Sequence, residues 1–376
     1  MNVVTVIGAR PQFVKAAPVS RVLRRDHREL LVHTGQHYDD ALSGAFFRDL
    51  EMPAPDLNLE VGSGSHGAQT AEMIRRLEQV LLEHEPDLVL VYGDTNSTLA
   101  AAVVACKVAY ADDRRPWLAH VEAGLRSFNP AMPEERNRIV ADHLADLLLA
   151  PTEAAMRHLA TEGLADRGRL VGDVMVDAFR WAEPLAQAHL PAVAAELPGY
   201  VLLTLHRPEN VDDPARLGSW LRELGGVRPY VFPVHPRTRR SIDLAGVAVP
   251  DNVRLVEPVG YLAMVALELG AVAIATDSGG VQKEAYLAGV PCVTLRTETE
   301  WVETVEAGWN RVIGRHPHEV GAAIEAAAAM DRSTPRPELF GDGHAAERIV
   351  AALEEHDRRR AVLVGAIPAA SNEARP

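Results

Sequence analysis

The run Val3-Val4-Thr5-Val6-Ile7, broken by Gly8-Ala9-Arg10-Pro11 and followed by Ala16, Ala17, Val19 and Leu23, decides the fold class. Mostly β-branched residues without polar alternation read as a strand buried on both faces. A glycine break and apolar residues at helical spacing complete a strand–turn–helix unit. The unit recurs over residues 30–33, 87–92, 117–121 and 147–150, with Ala-rich helical stretches such as 99–109 between. A second series starts near Tyr200, with strands expected at 201–205, 231–234, 253–256, 272–275 and 291–295. Such alternation gives a parallel sheet covered on both faces. Two series in tandem predict an α/β chain of two Rossmann-like, doubly wound domains facing a cleft. The expected division is 1–168 and 169–344, then a C-terminal helix over 345–365 packing back on the N-terminal domain, and a small-residue, Pro-containing, disordered tail over 366–376.

Composition narrows the function classes. The chain has 376 residues with 38 Lys+Arg against 52 Asp+Glu, a formal charge of −14 that argues against nucleic-acid binding. Hydrophobic residues are 47% and charged residues 24%, which fits a globular chain and not a disordered one. The two cysteines, Cys106 and Cys292, make no disulfide framework and fit a reducing, cytoplasmic setting. The first residues carry no basic leader, and their apolar run is too short for a signal or membrane helix, so no membrane partner is expected.

In doubly wound folds ligands bind beyond the carboxyl ends of the strands, and the unusual residues collect there. Arg10 and Lys15 bracket the first turn and offer a planar fork and a point charge for phosphate; a solvated helix start explains Lys15 on its own somewhat better, and Arg10 is the stronger candidate. Asp94 in Tyr92-Gly93-Asp94-Thr95 and Glu122 in His120-Val121-Glu122-Ala123 end two buried strands, where acids are costly unless they work or are paired. Glu134 follows Pro133, a place where an acid also favours a helix N-terminus. His206 ends a second-half strand and suits proton transfer near neutral pH; His235 has a similar place and also reads as a structural histidine. Asp277-Ser278-Gly279-Gly280-Val281-Gln282-Lys283-Glu284 reads as strand, glycine turn and helix start, whose N–H groups suit a phosphate, with Glu284 placed for a ribose diol. A plain capped helix explains it as readily. There is no GxxxxGK[ST], GxGxxG, HExxH or GxSxG, so neither a cofactor nor a metal is expected.

Together these residues resemble the UDP-N-acetylglucosamine 2-epimerase family. The matching segments run in family order: 8–11 through Pro18, Gly35-Gln36-His37, Tyr92-Gly93-Asp94-Thr95, 120–126, 133–138, Gly172-Asp173, 205–210, Pro233-Val234-His235-Pro236 and 277–284. The resemblance implies a GT-B-like fold, a homodimer and a redox-free inversion at C2 of a UDP-sugar, in which UDP leaves to give 2-acetamidoglucal and then adds back. It implies Asp94, Glu122, Glu134 and His206 as the catalytic set. It implies Arg10, Lys15, His235, Ser278, Gly279, Gly280 and Glu284 as the UDP contacts. The chain departs from the family where many members have R-x-T-T-E-R-P-E. Here the stretch is Arg296-Thr297-Glu298-Thr299-Glu300-Trp301-Val302-Glu303, with Trp301 in place of a diphosphate-facing Arg. It also has Asp39 and Ala68 where members activated by a second substrate molecule have Gln and Arg. The Glu-Trp version, with Arg126-Ser127-Phe128-Asn129, looks more like the branch acting on further-modified UDP-sugars such as 2,3-diacetamido uronic acids.

The expected function is a non-hydrolysing UDP-N-acetylglucosamine 2-epimerase. The alternatives are a 2-epimerase of a modified UDP-HexNAc, a hydrolysing epimerase releasing UDP and N-acetylmannosamine, a GT-B glycosyltransferase, and a silent nucleotide-sugar-binding protein.

Overall fold

The computed structural model describes residues 1–35, 47–226, 228–314 and 316–365. Gln36, His37 and Asp39, and the tail over 366–376, lie outside the described residues. Seven strands form the first sheet: β1 (Asn2–Ile7), β2 (Arg28–His33), β3 (Leu57–Asn58), β4 (Leu88–Tyr92), β5 (Trp117–Val121), β6 (Leu147–Ala150) and β7 (Gly168–Leu170), in the order β3-β2-β1-β4-β5-β6-β7. Six form the second: β8 (Val201–Thr204), β9 (Tyr230–Pro233), β10 (Val253–Val256), β11 (Ala273–Thr276), β12 (Cys292–Thr294) and β13 (Asn310–Val312), in the order β10-β9-β8-β11-β12-β13. Neighbours pair in parallel throughout. The strand order reverses between β1 and β4 and between β8 and β11, and crevices for ligands open at such switch points.

All residues of β4, β5, β6, β8 and β11 are buried, which is why these strands read as unbroken apolar runs. β3, β7 and β13 escaped the sequence reading. They have two or three residues each, and all three lie at sheet edges. β7 also crosses the expected boundary at 168, carrying the first sheet on to Leu170.

Apolar packing covers both faces of each sheet. One core extends from β1 and the first helix through the helices Val174–Ala186 and Ala345–Gly365 to Tyr261, Leu262 and Val265 of the second half. The two sheets are thus joined by a shared core on one side. The C-terminal helix lies on the first sheet, where Ile349 and Leu353 are fully buried and His356 packs on Trp117 with ring centroids 4.6 Å apart. Among the described residues no helix is long and apolar enough to cross a membrane.

Candidate active site

At the end of β1 the chain turns at Gly8 into the helix Arg10–Leu23. A Cβ on Gly8 would lie 2.2 Å from the Ser97 and Thr34 hydroxyls, so only glycine lets the turn sit this close to its neighbours. Gln12 fixes the turn: its Oε1 accepts from the Gly8 and Ala9 N–H groups, and its Nε2 donates to the Tyr92 carbonyl at 2.8 Å. Arg10 begins this helix, and its side chain lies outside the described atoms. One turn on, the Lys15 ammonium donates to Glu122 Oε2.

Glu122 follows β5 with φ of +70°, a left-handed backbone that costs a non-glycine residue on the order of 1–3 kcal/mol and needs support from its surroundings. That support is visible. His120 is fully buried, with one ring nitrogen 2.7 Å from the Gly93 carbonyl and the other 2.8 Å from Asp142, which also accepts from the Gly124 N–H and Arg126. His120 is therefore a structural histidine holding the Gly93 and Glu122 turns in register. The Glu122 carboxylate meets Lys15 on one oxygen and Lys283, from the second half, at 3.2 Å on the other. Burial pushes this carboxyl up, but the two lysines outweigh it and hold it down at about 2.

Asp94 follows β4, and its carboxylate accepts from Arg138 at 2.5 Å, while Asn137 donates to its carbonyl. Its side chain is 32% exposed. Glu134 and Glu135 share the first turn of the helix Pro133–Leu144 but differ in use. Glu135 is buried and accepts from the Ser127 and Phe128 N–H groups, shaping the loop before it. Glu134 is partly exposed.

In the second half, His206 follows β8 and Asp277 follows β11, across the switch point. Asp277 is fully buried. It accepts from the backbone of His206 and Arg207, from Asn210 Nδ2 at 3.0 Å, and lies 3.1 Å from His206 Nδ1. Burial raises this carboxyl, and the hydrogen bonds led by His206 outweigh that and lower it. A carboxylate accepts only, so Nδ1 carries the proton of this contact, and the side chain is 41% exposed. His235 caps the helix Pro236–Ala245, exposed, with its ring centroid 6.1 Å from that of His206. A recess of about 430 Å³ adjoins it, lined by Val234, Pro236, Arg239 and Glu257 among others.

Ser278 caps the helix Gly279–Ala288 by accepting from the Val281 N–H. A Cβ on Gly279 would meet nothing closer than 3.6 Å, and on Gly280 nothing closer than 3.9 Å. Packing within the protein therefore does not demand these glycines; they leave the helix N-terminus open to an anion. Glu284 is buried. Burial raises its carboxyl, against Glu268, Lys283 and Tyr261. Facing the helix start, Arg296 and Glu300 form a bidentate pair at 2.8 and 2.9 Å.

Lys15, Asp94 and Glu122 thus lie at the carboxyl ends of first-sheet strands or the helix turn beside them, and His206, His235, Ser278, Gly279 and Gly280 at those of the second. Sequence reasoning left out Lys283, Asp173, Asp277 and Arg138. Their partners lie 44 to 161 residues away in the chain, and no local pattern reveals such pairs.

The model of the UDP-N-acetylglucosamine 2-epimerase family matches residues 21–354. The chain belongs to this family. Its relatives in the 2-epimerase family include a UDP-N-acetylglucosamine 2-epimerase homolog of Methanococcus maripaludis, 45% identical over 94% of this chain and 99% of the relative. Another is the UDP-2,3-diacetamido-2,3-dideoxy-D-glucuronate 2-epimerase of Pseudomonas aeruginosa, 43% identical over 93% and 98%. The crystal structure of the Methanocaldococcus jannaschii UDP-GlcNAc 2-epimerase with UDP-GlcNAc and UDP superposes with a TM-score of 0.86, at 38% identity over 94% of this chain and 100% of that one. The GT-B-like α/β fold expected from the sequence is the fold of these 2-epimerases.

Proposed function

We propose that the chain interconverts UDP-GlcNAc and UDP-ManNAc without hydrolysis. One observation supports the reading: Lys283, on the helix that Ser278, Gly279 and Gly280 open, meets the Glu122 carboxylate of the first half at 3.2 Å, so the strand ends that carry Asp94 and Glu122 and those that carry His206 and Asp277 are read as two sides of one cleft. The Gly279 and Gly280 N–H groups, with Lys15 and Arg10, bind the diphosphate. A carboxylate of the Asp94, Glu122 and Glu134 set takes the C2 proton as the C1–O bond to UDP breaks, leaving the C1–C2 double bond of 2-acetamidoglucal. His206, its Nδ1 held by Asp277, donates from Nε2 to the departing diphosphate. Protonation of C2 on the opposite face and return of UDP oxygen to C1 complete the inversion. Glu122 and Asp94 are both paired with cations, and the lysines keep Glu122 a carboxylate. The two halves act as lobes closing on the sugar, with the C-terminal helix packed on the first.

The Pseudomonas relative acts, by its name, on a diacetamido glucuronate, and that sugar is the second substrate to assay. From the family resemblance we carry over a homodimer, and a cytoplasmic setting in keeping with free Cys106 and Cys292. Asp94→Asn and Glu122→Gln test the assignment: each loses turnover by about 100-fold or more and still binds UDP. Wild-type turnover in either would sink the role of that acid.

A further inference from the structure

Lys283 sits one turn inside the helix Gly279–Ala288, where a lysine is ordinarily solvated, yet it is 1% exposed. Its ammonium is 2.5 Å from Asp173 Oδ2, 3.2 Å from Glu122 Oε1 and 4.1 Å from the centroid of the Trp301 ring. Burying an ammonium is costly unless it is paired, and here two carboxylates and an indole face surround it. Asp173 is itself anchored. Its Oδ1 caps the helix Val174–Ala186 by accepting from the Met175 N–H at 2.9 Å, and its own N–H donates to the Phe340 carbonyl. Trp301, which stands where the family pattern has an arginine, is the residue whose ring meets the ammonium.

We infer that Lys283 is a positioning residue for Glu122: it ties that carboxylate to the Asp173 cap and to the helix whose N-terminus receives the diphosphate. The inference rests on the reading that Glu122 works at the sugar. Glu122 has a strained backbone and one carboxylate oxygen given to Lys15, a side chain also placed to meet diphosphate. When diphosphate draws Lys15 away, Lys283 keeps the other oxygen in place. The anion cradle and the acid are then set by one helix, so a bound diphosphate and the reacting carbon share a fixed frame.

The charged groups facing Glu122 are Lys15 from the first helix, Lys283 from the Gly279 helix and Arg138 from the Pro133 helix, with Asp173 behind Lys283. Removing one cation makes the carboxylate easier to protonate, which moves the acid limb of kcat to higher pH. Lys283→Met is expected to lower kcat about 10- to 100-fold with KM within about threefold and to shift that limb upward. Lys283→Arg restores most of kcat, and UDP affinity stays within about threefold of wild type. An unshifted pH profile with unchanged kcat overturns the inference. Equal loss of UDP affinity and kcat overturns it too, by making Lys283 a phosphate ligand. Lys283→Gln carries the same comparison if the Met variant does not fold. A second readout is independent of substrate: the ¹³Cδ resonance of Glu122 in Glu-labelled protein, assigned by its loss in Glu122→Gln. It titrates at higher pH in Lys283→Met than in wild type, and equal titration refutes the contact. If wild type turns over no UDP-sugar, the functional reading has failed, and this resonance alone decides the positioning role.

Discussion

Asp277→Asn isolates the contribution of the buried carboxylate behind His206. In the native site one Asp277 oxygen accepts from the Arg207 N–H and Asn210 Nδ2, both at 3.0 Å, while the other faces His206 Nδ1 at 3.1 Å. An amide can keep only one of these faces. If its NH₂ replaces the oxygen that meets Arg207 and Asn210, two buried donors face a donor, at about 1–3 kcal/mol each. The cheaper orientation keeps that oxygen and points NH₂ at His206 Nδ1, which must then accept. With Nδ1 accepting, the ring's proton sits on Nε2 without a carboxylate behind it, and that Nε2–H is a poor acid toward the leaving diphosphate. Loss of general acid assistance is worth about 100- to 10,000-fold, whereas the stability cost is held to about 1–3 kcal/mol. The assay is kcat from proton NMR of the UDP-sugar, beside UDP affinity by calorimetry and the melting temperature. The expected result is a folded protein that binds UDP and has lost kcat by that factor. In addition, Asp277→Asn adds little to His206→Gln, because both remove one device. A folded Asp277→Asn protein with kcat within about threefold of wild type refutes the reasoning.

Gly280→Ala should leave the melting temperature nearly unchanged, since its Cβ finds nothing within 3.9 Å. It should weaken UDP binding about 10- to 100-fold by crowding a charge-assisted N–H contact, as calorimetry would show. Gly8→Ala does the opposite: its Cβ falls 2.2 Å from two hydroxyls, so stability drops by about 1–3 kcal/mol in denaturant unfolding. Glu300 gives a pH dependence with a definite sign. Burial raises its carboxyl, the Arg296 pair outweighs that, and it titrates at about 2 against 4.5 in the unfolded chain. Its stabilisation is therefore complete above the unfolded value and is lost as pH falls from about 4.5 toward 2, on the order of 3 kcal/mol. Glu300→Gln should flatten the acid side of the stability curve over that window, and an unchanged slope there counts against the pair.

The strands that matter were legible because double burial writes itself into the sequence. Val3 to Ile7, Leu88 to Tyr92 and Trp117 to Val121 have no solvent face and so no polar alternation. Short β3, β7 and β13 carry too few residues to show a pattern. Asp94, Glu122 and His206 were legible as polar residues at the ends of such runs. What local pattern could not show is who meets whom. Lys283 resembles a solvated helix lysine until the fold places Glu122, 161 residues away, against it. Asp277 reads as part of a capped turn and becomes the orienter of His206 only because β8 and β11 are neighbours. Glu284 is a further case. The turn spacing places this acid for a ribose diol but does not show its burial, which comes from its surroundings, Tyr261 and Glu268 among them.

The central claim is that a proton leaves and returns at C2 while UDP is eliminated and restored. Proton NMR of the purified protein with UDP-GlcNAc in deuterated water tests it most directly. The account predicts deuterium at C2, a growing UDP-ManNAc signal and no net release of free UDP. UDP binding with no C2 exchange, in UDP-GlcNAc or in the diacetamido glucuronate, would contradict it.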